Sequence, residues 1–209
     1  LPGGLVSTWA NRELRAGDVI DCMPPDGAFC ADLDATRARH VVLIAAGSGI
    51  TPLLSIAKSV LAREPARRVS LLYGNRRLAS VMFREALEDL KDAYLGRFAL
   101  FHVFSREAQD VELFDGRLDA ARLNRFLDTL LPPDGIDDVY LCGPSAMLDE
   151  LAPVLTARGV AADHIHVERF GTDTLPALAH EPGLASGPEA TVTVIADGVT
   201  REFRLARDG

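Results

Sequence analysis

The chain has 209 residues, enough for one good-sized domain and parts of others. A formal net charge of −8, a pI near 5.1 and the lack of a basic patch argue against a nucleic-acid partner. The longest apolar run, Val41–Ala46, is too short to span a bilayer, and "LPGGLVSTW" lacks the basic flank and apolar core of a signal peptide. The three cysteines, Cys22, Cys30 and Cys142, are odd in number and have no metal-ligand spacing, so a reducing cytoplasm is expected. Leu1 opens on what reads as the middle of a loop, and "TREFRLARDG" stops just after a strand pattern. Both are expected of a segment of a longer protein.

In chain order, "GDVIDC" at 17–22 reads as a short strand before a Pro/Gly turn, "PPDG". From His40 a repeating pattern begins. "HVVLIAA" is a continuous apolar run, as in a strand buried on both faces of a parallel sheet. "TPLLSIAKSVLAR" places Leu53, Leu54, Ile56, Ala57, Val60 and Leu61 on one helical face. Strand "RVSLLYG", helix "FREALEDLKDAY" and strand "RFALFHVFS" follow. The helix "DAARLNRFLDTLL" is ended by Pro132–Pro133, and after strand "DDVYLCG" the helix "PSAMLDELAPVLTAR" is closed by Gly159. "HIHVERF" supplies a fifth strand. The alternation predicts an α/β fold, a doubly wound five-stranded parallel sheet over residues 38–171. The Pro/Gly/Ala-rich stretch 172–190 reads as a linker, and "ATVTVIADGVTREFRL" as a hairpin about an Asp-Gly pair. A hairpin alone is not stable, so residues 191–209 are expected to start a further domain.

The first strand runs into "AAGSGITPL". Gly47 and Gly49 permit positive φ and close approach of a phosphate, Thr51 can cap the next helix, and Pro52 fits its first position. The free N–H groups of such a helix start favour an anion. Proline stands where a dinucleotide fingerprint has its last glycine. The end of the second strand reads Tyr73-Gly74-Asn75-Arg76-Arg77, with no acid for a ribose hydroxyl; a basic residue there suits a 2′-phosphate.

The ordered series "GGLVST", "PPDGAF", "AAGSGITP", "YGNR", "HVFSRE", "YLCGPSAM" and "HVERF" resembles the ferredoxin–NADP reductase superfamily. It is most similar to oxygenase-type flavin reductases that carry a C-terminal plant-type [2Fe–2S] domain, such as those of phenylacetic acid degradation. The resemblance implies that Gly4, Val6, Ser7 and Thr8 belong to a loop around the FAD pyrophosphate. It makes residues 1–37 the end of an FAD-binding β-barrel and residues 191–209 the start of a ferredoxin-like domain. Gly47, Ser48, Gly49, Ile50, Thr51 and Pro52 would cradle the nicotinamide nucleotide, with Thr51 near the ring. Arg76, Ser105 and Arg106 would hold the adenosine end, and Ser-Arg-Glu at 105–107 favours NADPH over NADH. Cys142, Gly143, Pro144 and Met147 match the fourth-strand motif beside the nicotinamide, Glu168 the acid near that cysteine, and Phe170 an aromatic cover for the flavin. Cys142, Thr51 and Glu168 are therefore the expected catalytic residues.

The implied activity passes electrons from NADPH through FAD to a [2Fe–2S] centre and on to an oxygenase component or soluble carrier. No C-x₄-C-x₂-C run occurs here, so the cluster's ligands are not in this chain. The reductase half of a flavohaemoglobin and a non-catalytic α/β module are the alternatives. Plainer readings stand beside these roles: Cys142 as a small core residue, Ser105 and Arg106 as a solvated strand exit, Glu168 and Arg169 as a surface ion pair, Phe170 as hinge packing. His164 and His166 share a strand face, but no third ligand is evident, so no metal is expected. Arg37, Arg39, Arg67 and Arg68 read as solvated residues at strand starts.

Overall fold

The computed structural model describes residues 5–24, 27–34, 40–170, 189–196 and 199–206. Two units divide the chain, residues 1–170 and 171–209. The first contains α1 (Leu5–Arg12), β1 (His40–Ala46), α2 (Ile50–Arg63), β2 (Arg68–Asn75), α3 (Arg84–Ala93) and β3 (Phe98–Phe104). It continues through α4 (Ala120–Thr129), β4 (Ile136–Gly143), α5 (Ser145–Ala157) and β5 (Ile165–Arg169). The second contains β6 (Glu189–Ala196) and β7 (Val199–Ala206), an antiparallel pair in register from Glu189↔Ala206 to Ala196↔Val199. The hairpin's first strand thus begins two residues inside the stretch expected as a linker.

The five strands of the first unit pair in parallel in the order β3-β2-β1-β4-β5. Alternation sorts their side chains between two cores. Val41, Leu43, Ala45, Val69, Leu71, Tyr73, Tyr140 and Cys142 lie with α2 and α3 in one cluster. Val42, Ile44, Leu72, Val139 and Leu141 lie with α4 and α5 in the other. Both faces being covered is why β1 reads as an unbroken apolar run. The six apolar positions expected on α2 are all buried, joined by Ile50. Asp119 caps α4, its carboxylate accepting from the Arg122 N–H at 2.9 Å. Gly159, at φ +93, follows α5.

Three local expectations are corrected. Residues 18–24 form no strand: no described strand pairs with them, and Val19, Ile20 and Met23 are exposed. A strand needs a ladder partner, which a short apolar segment before a turn does not by itself supply. Thr51 is not the cap of α2. A 3-10 turn over Gly47–Gly49 runs into the helix, which starts at Ile50, and the Thr51 hydroxyl donates back to the Ser48 carbonyl at 2.8 Å. Pro52 therefore sits third in the helix, still within the first turn, where its missing N–H costs no helical bond. Arg67 is not solvated but 1% exposed, paired with Glu64, Asp137 and Asp138. Arg68 is exposed as expected, and Arg37 and Arg39 lie outside the described residues.

Candidate dinucleotide site

Strand order reverses between β1 and β4, and the crevice beyond their carboxyl ends is where an open α/β sheet takes a ligand. Backbone meets backbone there. A Cβ on Gly49 would stand 2.0 Å from the Cys142 carbonyl oxygen and 2.8 Å from the Gly143 nitrogen. Gly49 has φ −61, so it is needed for this close approach and not for positive φ. Gly47 does need its freedom, at φ +55, and the space where its Cβ would project is open. On β4, a Cβ on Gly143 would crowd Met147 and Ala46, so Met147 packs over the strand end. Pro144 is exposed, Ser48 and Thr51 are exposed, Pro52 is half-buried, and the Ile50 side chain faces the core.

Cys142 is fully buried, with Ala45 its register partner on one side and Glu168 on the other. Burial, with the nearby Glu168 carboxylate adding to it, pushes the Cys142 thiol up to about 11. At neutral pH it is a neutral, compact S–H and no nucleophile. Glu168 is half-buried and Phe170 half exposed. Arg169 pairs with Asp149 of α5 at 2.6 Å, so the surface pair considered for it with Glu168 is made elsewhere.

The ends of β2 and β3 bring the adenosine candidates together. The Arg106 N–H donates to the Arg76 carbonyl at 2.9 Å and that of Ser105 to Asn75 at 3.0 Å. Arg76 and Arg106 are exposed, and Ser105 is half-buried. Glu107 is turned to the loop after β2, accepting from the Leu78 N–H at 3.0 Å.

Of the front segment, Gly4 lies outside the described residues, as does the Ser7 side chain. Val6 is exposed, Thr8 half-buried, and both lie within α1, a helix where a loop was expected. Phe29 of "PPDGAF" stacks edge-on against Tyr140, ring centroids 5.6 Å apart.

Tyr73 carries no role in the sequence reading. It is fully buried, its hydroxyl donates to the Gly47 carbonyl at 2.9 Å and accepts from the Met82 N–H at 3.3 Å. A buried tyrosine near a strand's ligand end must find a partner for its O–H, and that was the available signal. At the opposite end of the sheet, Asp137, Asp138 and His164 lie together, with His166 3.3 Å from Asp138. Carboxylates thus do stand beside the two histidines, and Arg67 occupies both.

Residues 43–152 match the family described as Oxidoreductase NAD-binding domain. The chain belongs to the NAD-binding oxidoreductase domains of the ferredoxin reductase family. A component of the 1,2-phenylacetyl-CoA epoxidase of Escherichia coli is 38% identical over 100% of the chain and 58% of its own length. The ferredoxin reductase component of 3-ketosteroid-9-alpha-monooxygenase from Mycolicibacterium smegmatis is 35% identical over 98% and 55%. A flavohemoprotein from Bordetella pertussis is 33% identical but matches only 82% of the chain and 42% of its own length. The chain therefore spans little more than half the length of the first two relatives. Among solved structures, an Amycolatopsis cytochrome P450 reductase superposes with TM-score 0.68 at 29% identity, over 81% of this chain and 50% of its own. The FAD/NAD-binding domain of a Vibrio cholerae nitric oxide dioxygenase gives 0.62 at 28%, over 80% and 65%. This NAD-binding domain has no helix, among the described residues, long and apolar enough to cross a membrane.

Proposed function

We propose that this domain presents NADPH to a flavin, as part of a reductase whose electrons serve an FAD, a [2Fe–2S] centre and finally an oxygenase component or soluble carrier, acting in the cytoplasm. The observation that carries the reading is the junction of Gly47–Gly49 with Cys142–Gly143 at the point of strand reversal, Glu168 in register beside the thiol. Hydride transfer needs alignment and a dry pocket more than a nucleophile, and a neutral buried thiol suits that. The Gly47–Pro52 turn would bind the pyrophosphate and seat the nicotinamide near Thr51, with Cys142 and Glu168 behind the ring. Ser48, Gly143, Pro144 and Met147 would complete the walls. The preference for NADPH is supported by Arg76 and Arg106, held side by side and exposed, with no acid ending β2.

FAD would supply the two-electron acceptor. The groups here that fit it are the start of α1, with Thr8, and the half-exposed ring of Phe170. A [2Fe–2S] cluster does not fit this chain's cysteines: Cys22 and Cys30 are exposed and eight positions apart, and Cys142 is buried on β4. The cluster and the acceptor's docking surface are therefore assigned to other residues of the reductase. The full match to the epoxidase component favours this reading over the flavohaemoglobin one.

Titration of the purified chain with NADPH, and of the chain plus FAD with a reducible dye, tests the proposal. Saturable nucleotide binding and NADPH-dependent dye reduction are expected. Absence of both would leave only a non-catalytic module.

A further inference from the structure

The carboxyl end of the sheet carries two separate loops, the Gly47–Gly49 turn after β1 and residues 76–83 after β2. The side chain of Tyr73 joins them. Its hydroxyl donates to the carbonyl of Gly47, the residue at φ +55, and accepts the N–H of Met82 at the far end of the second loop. The second loop is also clamped at its start: the Arg77 N–H donates to the Ser80 hydroxyl and the Leu78 N–H to Glu107. Arg76 and Arg77 thus sit on a segment whose two ends are held, one by the β3 exit and one by the tyrosine. Burial keeps the phenol neutral, its proton held above the ordinary tyrosine range, so it stays a donor to Gly47.

We propose that Tyr73 is a positioning residue that couples the two half-sites, fixing the pyrophosphate turn relative to the adenosine loop so that the dinucleotide binds as one ligand. This rests on reading the carboxyl end as a dinucleotide site. Without the hydroxyl, the Gly47 carbonyl keeps its main-chain bond from the Ile50 N–H but loses its tie to the second loop, and the Met82 N–H loses its acceptor. Each loop then samples positions independently, and a ligand spanning both must order them itself. A ligand that touches only the adenosine loop does not meet that cost in full.

The test is Tyr73→Phe in the full 209-residue chain, with affinities measured for NADP⁺ and for adenosine 2′,5′-bisphosphate well below the melting temperature. NADP⁺ affinity is expected to fall about tenfold, as for loss of a buried hydrogen bond, and that of the fragment by less than about twofold. Faster amide exchange at Met82 is expected alongside. Equal weakening of both ligands would mean a general structural role, and unchanged affinity for both would remove the coupling role; either overturns the inference while leaving the site reading intact. Failure of the wild-type chain to bind NADP⁺ would overturn the site reading itself.

Discussion

At the carboxyl end of the sheet, backbone packs on backbone: Gly49 lies against the Cys142–Gly143 peptide, and the side chains nearby, Ser48, Thr51, Arg76 and Arg106, face outward. The amino end is filled by charge. Arg67, Glu64, Asp137 and Asp138 are buried together, and the Asp34 N–H also donates to Glu64. Arg97 closes the end of α2 beside them, donating to the carbonyls of Leu61 and Glu64 at 2.8 and 2.9 Å. The carboxyl end keeps exposed polar side chains, Ser48, Arg76 and Arg106, at its strand exits. The other spends its polar groups on the fold. Charge density alone would point to the amino end, because the buried carboxylates there form the larger cluster of ionisable groups.

The sharpest way to separate the two ends is Arg67→Met. Removing the guanidinium leaves three buried carboxylates without it and is expected to cost about 3–5 kcal/mol of stability, read from urea midpoints, while nucleotide affinity of the folded fraction stays put. Gly49→Ala does the converse. Its φ suits alanine, so the clash with the Cys142 carbonyl is the whole effect: about 2–3 kcal/mol, with at least about tenfold weaker NADPH binding, by calorimetry and titration.

Acid provides a third contrast. His40, at the amino end and 2.8 Å from the Ser70 hydroxyl, is held at about 4 by burial first and by Arg68 second. The unfolded chain takes up that proton near 6.5, so between about 6.5 and about 4 the unfolded state binds more protons. Stability accordingly falls as pH drops through that window, by roughly 2 kcal/mol after discounting for partial exposure, and levels off below it. His40→Gln should remove that part of the slope in unfolding curves at pH 7 and pH 5.

These contrasts also mark what the sequence could carry. The five strands, the helices between them and the turn at 47–52 were legible because each is a local pattern. Arg67 reads as a solvated residue because its partners Asp137 and Asp138 are 70 and 71 positions away and nothing around "ARRVS" signals them. Gly49 belongs to the expected site for a different physical reason, since the peptide it touches lies on β4. Residues 17–22 read as a short strand before a Pro/Gly turn, but a strand is defined by a neighbour. Tyr73 was hidden because its role is a contact between two loops.

Two smaller effects sharpen the ligand end. Arg106→Ala should lower the NADPH-to-NADH affinity ratio by about tenfold, the scale of a charge-assisted contact to a phosphate. An unchanged ratio removes the 2′-phosphate assignment. Alkylation with iodoacetamide at pH 7.5, followed by mass spectrometry, should label exposed Cys22 and Cys30 and spare Cys142, whose thiol burial holds neutral.

The central claim, that the carboxyl end is the dinucleotide site, is tested most directly by amide hydrogen exchange of the full chain with and without saturating NADPH. Slowed exchange is predicted at residues 47–54, 76–78, 105–107 and 143–147, with residues 64–68, 136–138 and 162–166 unaffected. Unchanged exchange across the first set, or protection confined to the second, would contradict it.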